Sequence, residues 1–209
     1  MITILHTIDT TGPGGAETVF IDLATRLPKE KYRSVVVIRG KGWVYDQLRS
    51  RGFNPILLDA KGSFNWRYLL ALRKIIKSRG VDLIQSHLLG SNVYCALAGL
   101  LTGKPVVATF HGMVDVSDKE RFMALKFGLI NKGATRIVVV SENLGDQIAG
   151  RTPLNSKKME VIYNGIDSAA FEPDKSNDFR RGFSWGKDDI IIGSLGNIRP
   201  AKAYDVLLR

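Results

Sequence analysis

ITILHTIDTTGPGGAE, residues 2–17, joins a run of β-branched and aliphatic residues to a glycine-rich turn. The run Ile2–Thr7 predicts a buried strand, and the glycines that follow it predict a tight turn into a helix, where they permit positive φ and close backbone approach. A helix that begins directly after such a turn offers free backbone N–H groups to an anion such as a phosphate. A turn that binds no ligand remains an alternative.

The order of strand and then helix repeats along the chain. Runs that are apolar at consecutive positions are typical of parallel strands covered on both faces. The predicted strands are Ile2–Thr7, Ser34–Ile38, Pro55–Leu58, Asp82–Ser86, Pro105–Phe110, Arg136–Val140 and Glu160–Ile162. The predicted helices are 15–27, 43–51, 64–79, 91–102, 118–132 and 142–150, with N-caps at Ser63 and Ser141 and glycines after helix ends at Gly52, Gly80, Gly103 and Gly133. This pattern predicts an α/β, doubly wound, mostly parallel, Rossmann-like domain over 1–167.

The sequence changes character after this domain. Residues 168–187 are polar and interrupted, which predicts a linker. Asp189–Leu195 then predicts a strand, and Tyr204–Arg209 the start of a helix. A lone strand with half a helix cannot bury its apolar faces, so we expect 188–209 to be the truncated start of a second domain.

The composition is typical of a soluble globular protein, with 44% hydrophobic residues and a mean hydropathy of −0.01. No apolar run reaches the roughly 18–20 residues that cross a bilayer. The N-terminus has no basic region or cleavage site typical of a secretory signal, so we expect a cytoplasmic protein. The single cysteine, Cys95, excludes an internal disulfide and is predicted to be a small buried side chain.

Polar residues follow three of the predicted strands, where ligands bind in doubly wound sheets. They are Ser86-His87, Thr109-Phe110-His111-Gly112 and Ser141-Glu142. Two histidines at equivalent positions on neighbouring strands favour a site over an ordinary surface, because an imidazole can donate to a sugar hydroxyl or carry a proton.

Two further loops lie at predicted domain boundaries. The run Tyr163-Asn164-Gly165-Ile166-Asp167 predicts a turn, and its place before the linker suggests a hinge, with a plain turn as the alternative. Near the C-terminus, Arg199 and Lys202 lie in a loop that precedes a helix, where two cations suit a diphosphate.

In this order, the loops resemble the retaining GT-B glycosyltransferases of the family-four type. The resemblance rests on Gly14-Gly15-Ala16-Glu17, His111-Gly112, Val140-Ser141-Glu142, Asn164-Gly165-Ile166-Asp167 and Gly196 to Lys202. It covers essentially the whole chain. It implies an N-terminal acceptor-side domain plus the first strand of a donor domain, in an enzyme that transfers a sugar from a nucleotide-diphosphate donor to a glycan or lipid-linked acceptor.

The resemblance also implies residue roles. His111 would be the catalytic residue at the transferred sugar. Donor phosphates would contact Gly14, Gly15, Arg199 and Lys202, and the acceptor or sugar would contact Glu17, His87, Thr109, Ser141 and Glu142. Asn164, Gly165 and Asp167 would form the hinge. Front-face attack, with the leaving phosphate as the base, requires no metal, and no cofactor is expected beyond the nucleotide sugar.

The chain departs from the family pattern near its C-terminus. Asn197 stands where the family usually has Arg, and Ala203 where a glycine commonly follows the lysine. The E-x7-E carboxylates and the contacts to the nucleotide base belong to a second domain that the chain lacks. We therefore expect the chain alone to be inactive.

Residues 26–79 hold 14 Lys and Arg and only three acids, a net charge of +11 against +10 for the whole chain. Helix 64–79 is basic and amphipathic, so it could lie on an anionic membrane or be an ordinary surface helix. A non-catalytic acceptor- or membrane-docking module is thus the alternative function. A nucleic-acid partner is disfavoured because no binding motif occurs. Dehydrogenases and epimerases are disfavoured because the dinucleotide fingerprint and a Tyr-x-x-x-Lys pair are absent.

Overall fold

The computed structural model describes residues 1–59, 64–116, 121–168, 182–183, 185–186, 188–194, 196, 198 and 202–208. The chain divides into two compact units, Met1–Gly165 and Ile166–Arg209. The first unit contains every strand that the described residues form, and it carries the candidate site.

The first unit is built on one sheet of seven parallel strands. They are β1 Ile2–Ile8, β2 Tyr32–Ile38, β3 Ile56–Leu57, β4 Leu83–His87, β5 Val106–Phe110, β6 Arg136–Val139 and β7 Met159–Val161. Their order in the sheet is β3-β2-β1-β4-β5-β6-β7, and every neighbouring pair is parallel. The doubly wound α/β fold is confirmed, and each of the seven strands predicted in this unit is present.

Six α-helices lie between these strands in the described part of the unit. They are α1 Gly15–Arg26, α2 Trp43–Ser50, α3 Trp66–Ser78, α4 Leu89–Thr102, α5 Met123–Gly133 and α6 Glu142–Arg151. The side chain of Ser141 accepts from the backbone N–H of Leu144 and caps α6, as predicted. The side chain of Asn65 caps α3 in the same way through the N–H of Tyr68. The N-cap predicted at Ser63 was wrong, and Ser63 itself lies outside the described residues.

The core lies on both faces of the sheet. On β2, Val37 packs with α3 and α4, while Val36 and Ile38 face the opposite way and pack with α1 and α2. A third cluster continues the α4 side across β5 and β6 to α5 and α6. Because the central strands are covered on both faces, they are apolar at consecutive positions, and this explains why the sequence pattern predicted them correctly.

Gly133 differs from the other glycines predicted after helix ends. Gly52, Gly80 and Gly103 have φ of 82°, 59° and 67°, the left-handed conformation expected of such a residue. Gly133 instead is the last residue of α5, and a Cβ there would collide with the backbone of Ala96 in α4. Its role is close helix packing, because only glycine lets the two backbones approach this far.

The second unit forms little regular structure among its described residues. No strand occurs over 189–194, so the predicted strand Asp189–Leu195 was wrong over those residues; Leu195 lies outside the described part. A strand requires a hydrogen-bonded neighbour, and the described residues of this unit provide none. A short helix, Tyr204–Leu207, forms where the start of a helix was predicted. Of the linker predicted over 168–187, residues 169–181, 184 and 187 lie outside the described residues.

Replacing Gly133 with alanine is expected to destabilise the first unit by about 1–3 kcal/mol, because the added Cβ forces α4 and α5 apart. Gly128 is a matched control on the same helix, since a Cβ there meets no atom within 4 Å. Gly128→Ala is expected to stabilise by about 0.5–1 kcal/mol through helix propensity. Urea unfolding of both variants measures the difference, and equal midpoints would contradict the packing role.

Candidate functional site

The site lies at the carboxyl ends of β1, β4 and β5, which are neighbours in the sheet. The register places Ile8 beside His87 and His87 beside Thr109, so the loops that follow these three strands leave the sheet side by side. Parallel pairing brings together residues that are far apart in sequence. The predicted grouping of His87 with His111 is therefore present.

The two histidines contact each other directly. Nδ1 of His87 lies 2.7 Å from Nε2 of His111, with ring centroids 5.0 Å apart and ring planes 18° apart. This separation is a hydrogen-bond distance and is too short for nitrogens in rings stacked face to face. The rings thus meet edge to edge and share one hydrogen. The ring of Phe20 from α1 contacts His87 edge-on, at 5.5 Å between centroids.

All three histidines of the chain are neutral at pH 7. Burial lowers the pKa of His6 to about 4 and holds the pKa of His87 well below its usual value, with further lowering by His111 and His6. Burial also lowers the pKa of His111 to about 4, against an opposing effect of the Glu17 charge. Within the part of the chain that the structure describes, Nδ1 of His6 and Nε2 of His87 have no hydrogen-bond partner.

Glu17 occupies the glycine-rich corner between β1 and α1. Its Oε1 accepts from Thr10 Oγ1 at 2.6 Å, and its other oxygen packs against Gly14 so closely that a Cβ there would collide with it. A carboxylate at a helix N-terminus already compensates the helix dipole. The corner therefore carries a negative charge, which favours a hydroxyl ligand over the predicted phosphate.

The glycines of this corner do not use the positive φ that glycine permits. Gly14 has a φ of 179°, which is extended backbone open to any residue, and neither Gly12 nor Gly15 is among the glycines with positive φ. Gly14 is needed for the approach of the Glu17 carboxylate, while the Cβ position of Gly15 faces open space.

Asp9 was not predicted as a site residue. It follows β1, and its carboxylate accepts from the backbone N–H of Ser91 at 3.3 Å and packs against Gly90, at the start of α4. Burial raises its pKa, against backbone hydrogen bonds from Ser91 and Gly90 and the charge of Arg39. An acid directly after the first strand, with glycine opening a later helix, was the available signal.

The backbone between β4 and α4 is strained beside the histidine pair. Leu88, a buried residue, has φ 70° and ψ 158°, a region occupied almost only by glycine. Its N–H donates to the carbonyl of Thr109 at 3.1 Å, and that carbonyl also accepts from Asn92 Nδ2. These bonds hold the turn in place, so His87 points into the protein instead of away from the sheet.

The remaining residues that were predicted to contact the acceptor or sugar differ in their burial and in their hydrogen bonds. Only 1% of His87 and 4% of Thr109 is exposed, and the Thr109 hydroxyl accepts from Gln85 at 2.8 Å. Both residues lie behind the surface of the site, and a direct sugar contact by either stays a prediction. Ser141 is engaged as the cap of α6, whereas Glu142 is exposed and within hydrogen-bond reach of Tyr163.

The predicted hinge spans the division between the two units. Asn164 and Gly165 end the first unit and Asp167 lies in the second, and all three are exposed. Motion about this turn stays a prediction. In the second unit, Lys202 is exposed, whereas Arg199 and Asn197 lie outside the described residues. Across the described ranges, no group of three or more His, Cys, Asp or Glu is arranged to hold a metal ion.

The sequence model of glycosyltransferase family 4 matches residues 13–170, the stretch that contains the glycine-rich corner and the histidine pair. The chain belongs to this family.

Two relatives and one solved structure show how far the similarity extends. EpsF of Bacillus subtilis (strain 168), named as a glycosyltransferase, is 25% identical over 99% of this chain and 56% of its own length. An Escherichia coli enzyme named UDP-Gal:alpha-D-GlcNAc-diphosphoundecaprenol alpha-1,3-galactosyltransferase is 23% identical over 90% of this chain and 51% of its own. Anabaena HepE, solved with UDP, superposes with a TM-score of 0.71 at 19% identity, covering 88% of this chain and 50% of HepE.

The family-4 chain thus spans about half the length of the relatives it matches. The likeness to HepE shows the fold alone. Of the helices in the described ranges, none combines the length and apolar character needed to cross a bilayer.

The first unit is expected to lose stability as the pH falls from about 6.5 towards 4. A histidine whose folded pKa is lowered binds its proton more weakly than in the unfolded chain, so acid favours unfolding by about 1.4 kcal/mol per pH unit for each histidine. The raised pKa of Asp9 acts in the opposite direction, because it stabilises the fold at low pH.

Urea unfolding at several pH values measures this slope. His6→Val places a strand-forming residue at a buried position of β1. This variant is expected to reduce the slope of unfolding free energy against pH by the contribution of one histidine, about 1.4 kcal/mol per pH unit. Stability that does not change between pH 7 and 5, in the original chain, would show that the imidazoles are not buried in the neutral form.

Proposed function

We propose that the chain is the acceptor-side half of a GT-B glycosyltransferase. The enzyme would move a sugar from a nucleotide-diphosphate sugar to a glycan or lipid-linked acceptor, with retention of configuration. The observation that supports this most is the contact of His87 with His111 at the carboxyl ends of β4 and β5, within reach of the Glu17 charge, in a member of glycosyltransferase family 4.

The named relatives support the substrate classes. HepE has been solved with UDP-glucose, and the name of the Escherichia coli relative gives a UDP-linked donor and a diphosphoundecaprenol-linked acceptor. These properties belong to those proteins. We extend to this chain only their class, a nucleotide sugar as donor and a glycan or lipid-linked sugar as acceptor.

In the proposed reaction, His111 donates a hydrogen bond to the transferred sugar, and Glu17 accepts from a sugar hydroxyl. The acceptor oxygen bonds to the anomeric carbon as the bond to the donor phosphate breaks, and the acceptor proton passes to the leaving phosphate on the same face. Lys202, with Arg199, would offset the charge on that phosphate. Contacts from Gly14 and Gly15 to the phosphates are the weaker part of the proposal because of the Glu17 charge.

The non-catalytic docking module is the less favoured alternative, because family membership points to a transferase. The transferase hypothesis and the docking-module hypothesis make different predictions for a protein that also contains a second domain. A transferase half gains activity when joined to a donor domain, whereas a docking module does not.

Sugar transfer tests the proposed function. The 209-residue chain alone is expected to give no product with any sugar nucleotide, because most donor contacts would lie in a second domain. The chain joined to the part of EpsF that it does not match is expected to be active. His111→Asn should then lower kcat by about 10²–10³-fold.

Gly128→Ala, on an exposed face of α5, is the control that should leave transfer unchanged. Product from the 209-residue chain alone would contradict the proposed division of the site. A folded two-domain protein that turns over no sugar nucleotide would contradict the function itself.

The basic segment 26–79 is proposed as a membrane contact. Helix α3 packs Tyr68, Leu72 and Ile76 into the core, as expected for an ordinary surface helix. Phe64, Trp66 and Leu70 nevertheless remain 59%, 58% and 48% exposed. The Arg67 guanidinium lies 5.7 Å from the centre of the Trp66 ring, so cation and aromatic face are adjacent. Exposed aromatic rings beside lysines and arginines suit the surface of an anionic bilayer.

Vesicle sedimentation tests this contact. The chain is expected to bind anionic vesicles, to release them at high salt, and to ignore neutral ones, because each cation near the surface contributes about 1 kcal/mol. The pair of changes Phe64→Ser and Trp66→Ser should weaken binding. The control variant Leu125→Ser changes a residue of α5 that is similarly exposed, at 62%, and it should leave vesicle binding unchanged. Equal binding to both vesicle types, or binding to neither, would contradict the contact.

A further inference from the structure

A second group of polar residues lies at the same edge of the sheet, and the proposed chemistry does not use it. Asp9 follows β1, Arg39 follows β2, and Asp59 lies two residues after β3. The register puts the ends of β1 and β2 side by side. Neighbouring strands are about 4.8 Å apart, so the end of β2 is about 10 Å from the end of β4, where the histidine pair begins. One sugar with an attached phosphate can cover this span.

The loop after β2 packs directly on the glycine-rich corner. The N–H of Val44 donates to the carbonyl of Thr11 at 3.1 Å, and a Cβ on Gly42 would lie only 2.8 Å from the same oxygen. Thr11 is the neighbour of Thr10, which donates to Glu17. The loop and the corner therefore form one surface, and an acceptor bound at the corner would also meet the loop that starts at the end of β2.

The Arg39 guanidinium is held by the protein on one side only. Its Nε donates to Asp59 Oδ1 and its Nη1 to the carbonyl of Asp9, both at 3.2 Å. Within the described ranges, Nη2 has no hydrogen-bond acceptor, and 42% of the side chain is exposed. An arginine carries five N–H donors in a planar fork that suits a phosphate. Arg39 is therefore oriented by its two partners and keeps donors for an anionic ligand.

The acids near Arg39 leave this ligand position open. The Asp9 carboxylate faces the start of α4, and burial raises its pKa, which disfavours the charged form. The Arg39–Asp59 pair is exposed, and exposed ion pairs contribute little stability, so a phosphate can share the guanidinium with Asp59. Lys41 and Asp46 of the same segment are exposed and opposite in charge. Recognition of an anion therefore depends on the fork of Arg39.

We propose that Arg39 binds a phosphate group of the acceptor. The acceptor would be a sugar phosphate, or a sugar linked to lipid through phosphate, with its accepting hydroxyl towards Glu17 and its phosphate towards Arg39. This inference rests on the proposed function, because it names the acceptor class of that site. There the donor phosphate is assigned to Lys202 and Arg199, so the arginine of the first unit serves the acceptor.

NMR titration of the 209-residue chain tests the phosphate contact without a transfer reaction. Glucose 1-phosphate is the probe, and glucose is its uncharged control. The Nε–H signal of Arg39 is expected to shift with glucose 1-phosphate and to stay in place with glucose. Arg33→Gln, which changes an exposed arginine at the other end of β2, should leave this shift unaltered. No shift of Arg39, or an equal shift of Arg33 in the original chain, overturns the proposal.

Three variants separate a phosphate site from a purely structural ion pair. Arg39→Gln is expected to abolish binding of glucose 1-phosphate, and Arg39→Lys, which keeps the charge but loses the fork, to weaken it by about tenfold. Asp59→Asn removes the competing carboxylate, so it should bind at least as tightly as the original chain. If Asp59→Asn weakens binding as much as Arg39→Gln does, the pair is structural and the proposal fails.

Transfer by the two-domain protein tests the role of Arg39 in the reaction. Arg39→Gln is expected to raise the KM for a phosphate-bearing acceptor by about 10–100-fold and to leave the KM for the donor unchanged. A rise in the donor KM instead would assign Arg39 to the donor phosphates and refute the proposal. An inactive two-domain protein whose Arg39 signal still shifts with glucose 1-phosphate contradicts the proposed function and not the phosphate contact.

Vesicle sedimentation distinguishes an acceptor phosphate from a lipid headgroup. Arg39→Gln is expected to bind anionic vesicles as the original chain does. A loss of vesicle binding without a loss of glucose 1-phosphate binding would assign Arg39 to the membrane surface and contradict its role at the acceptor.

Discussion

Parallel pairing of β1, β4 and β5 is the constraint on which the site depends. A parallel sheet directs the carboxyl end of every strand to one edge, and the helices that return the chain cover both faces. Residues that need to meet a ligand therefore leave the sheet at that edge, while the faces are used for apolar packing. The register that sets Ile8, His87 and Thr109 in one row also sets the spacing of the loops that follow them. The site needs no further device to bring its residues together.

Burial then determines what the site residues can do. An imidazole that loses water stays neutral, and a neutral imidazole has one donor and one acceptor whose positions are set by its partner. The pair His87–His111 is therefore a directional feature and not a charged one. The strained turn at Leu88 and the carbonyl of Thr109 hold the pair in place.

Much of this arrangement could be predicted from the sequence, and the failures have identifiable physical causes. Strands of the first unit and the grouping of His87 with His111 follow from apolar runs and from polar residues at strand ends. Distances in space were not predictable: the contact between α4 and α5 that requires Gly133, the acceptor formed by Asp9, and the carboxylate of Glu17 packed on Gly14 each depend on how distant segments pack. The residues after 188 have the local pattern of a strand, but the described residues of the second unit provide no neighbouring strand to pair with.

The charges at the site of the first unit indicate which groups of the substrates this half of the proposed enzyme would bind. Its corner offers neutral imidazoles and the carboxylate of Glu17, a combination suited to sugar hydroxyls, because a hydroxyl can both donate and accept. These groups do not neutralise the charge of a diphosphate. Burying a diphosphate near the Glu17 carboxylate would therefore cost free energy. In the first unit, the Arg39 guanidinium donates to the carbonyl of Asp9 at 3.2 Å, and in the second unit Lys202 is an exposed cation. We therefore propose that Glu17 and the imidazoles recognise sugar hydroxyls, and that Lys202 contributes to the recognition of the phosphates.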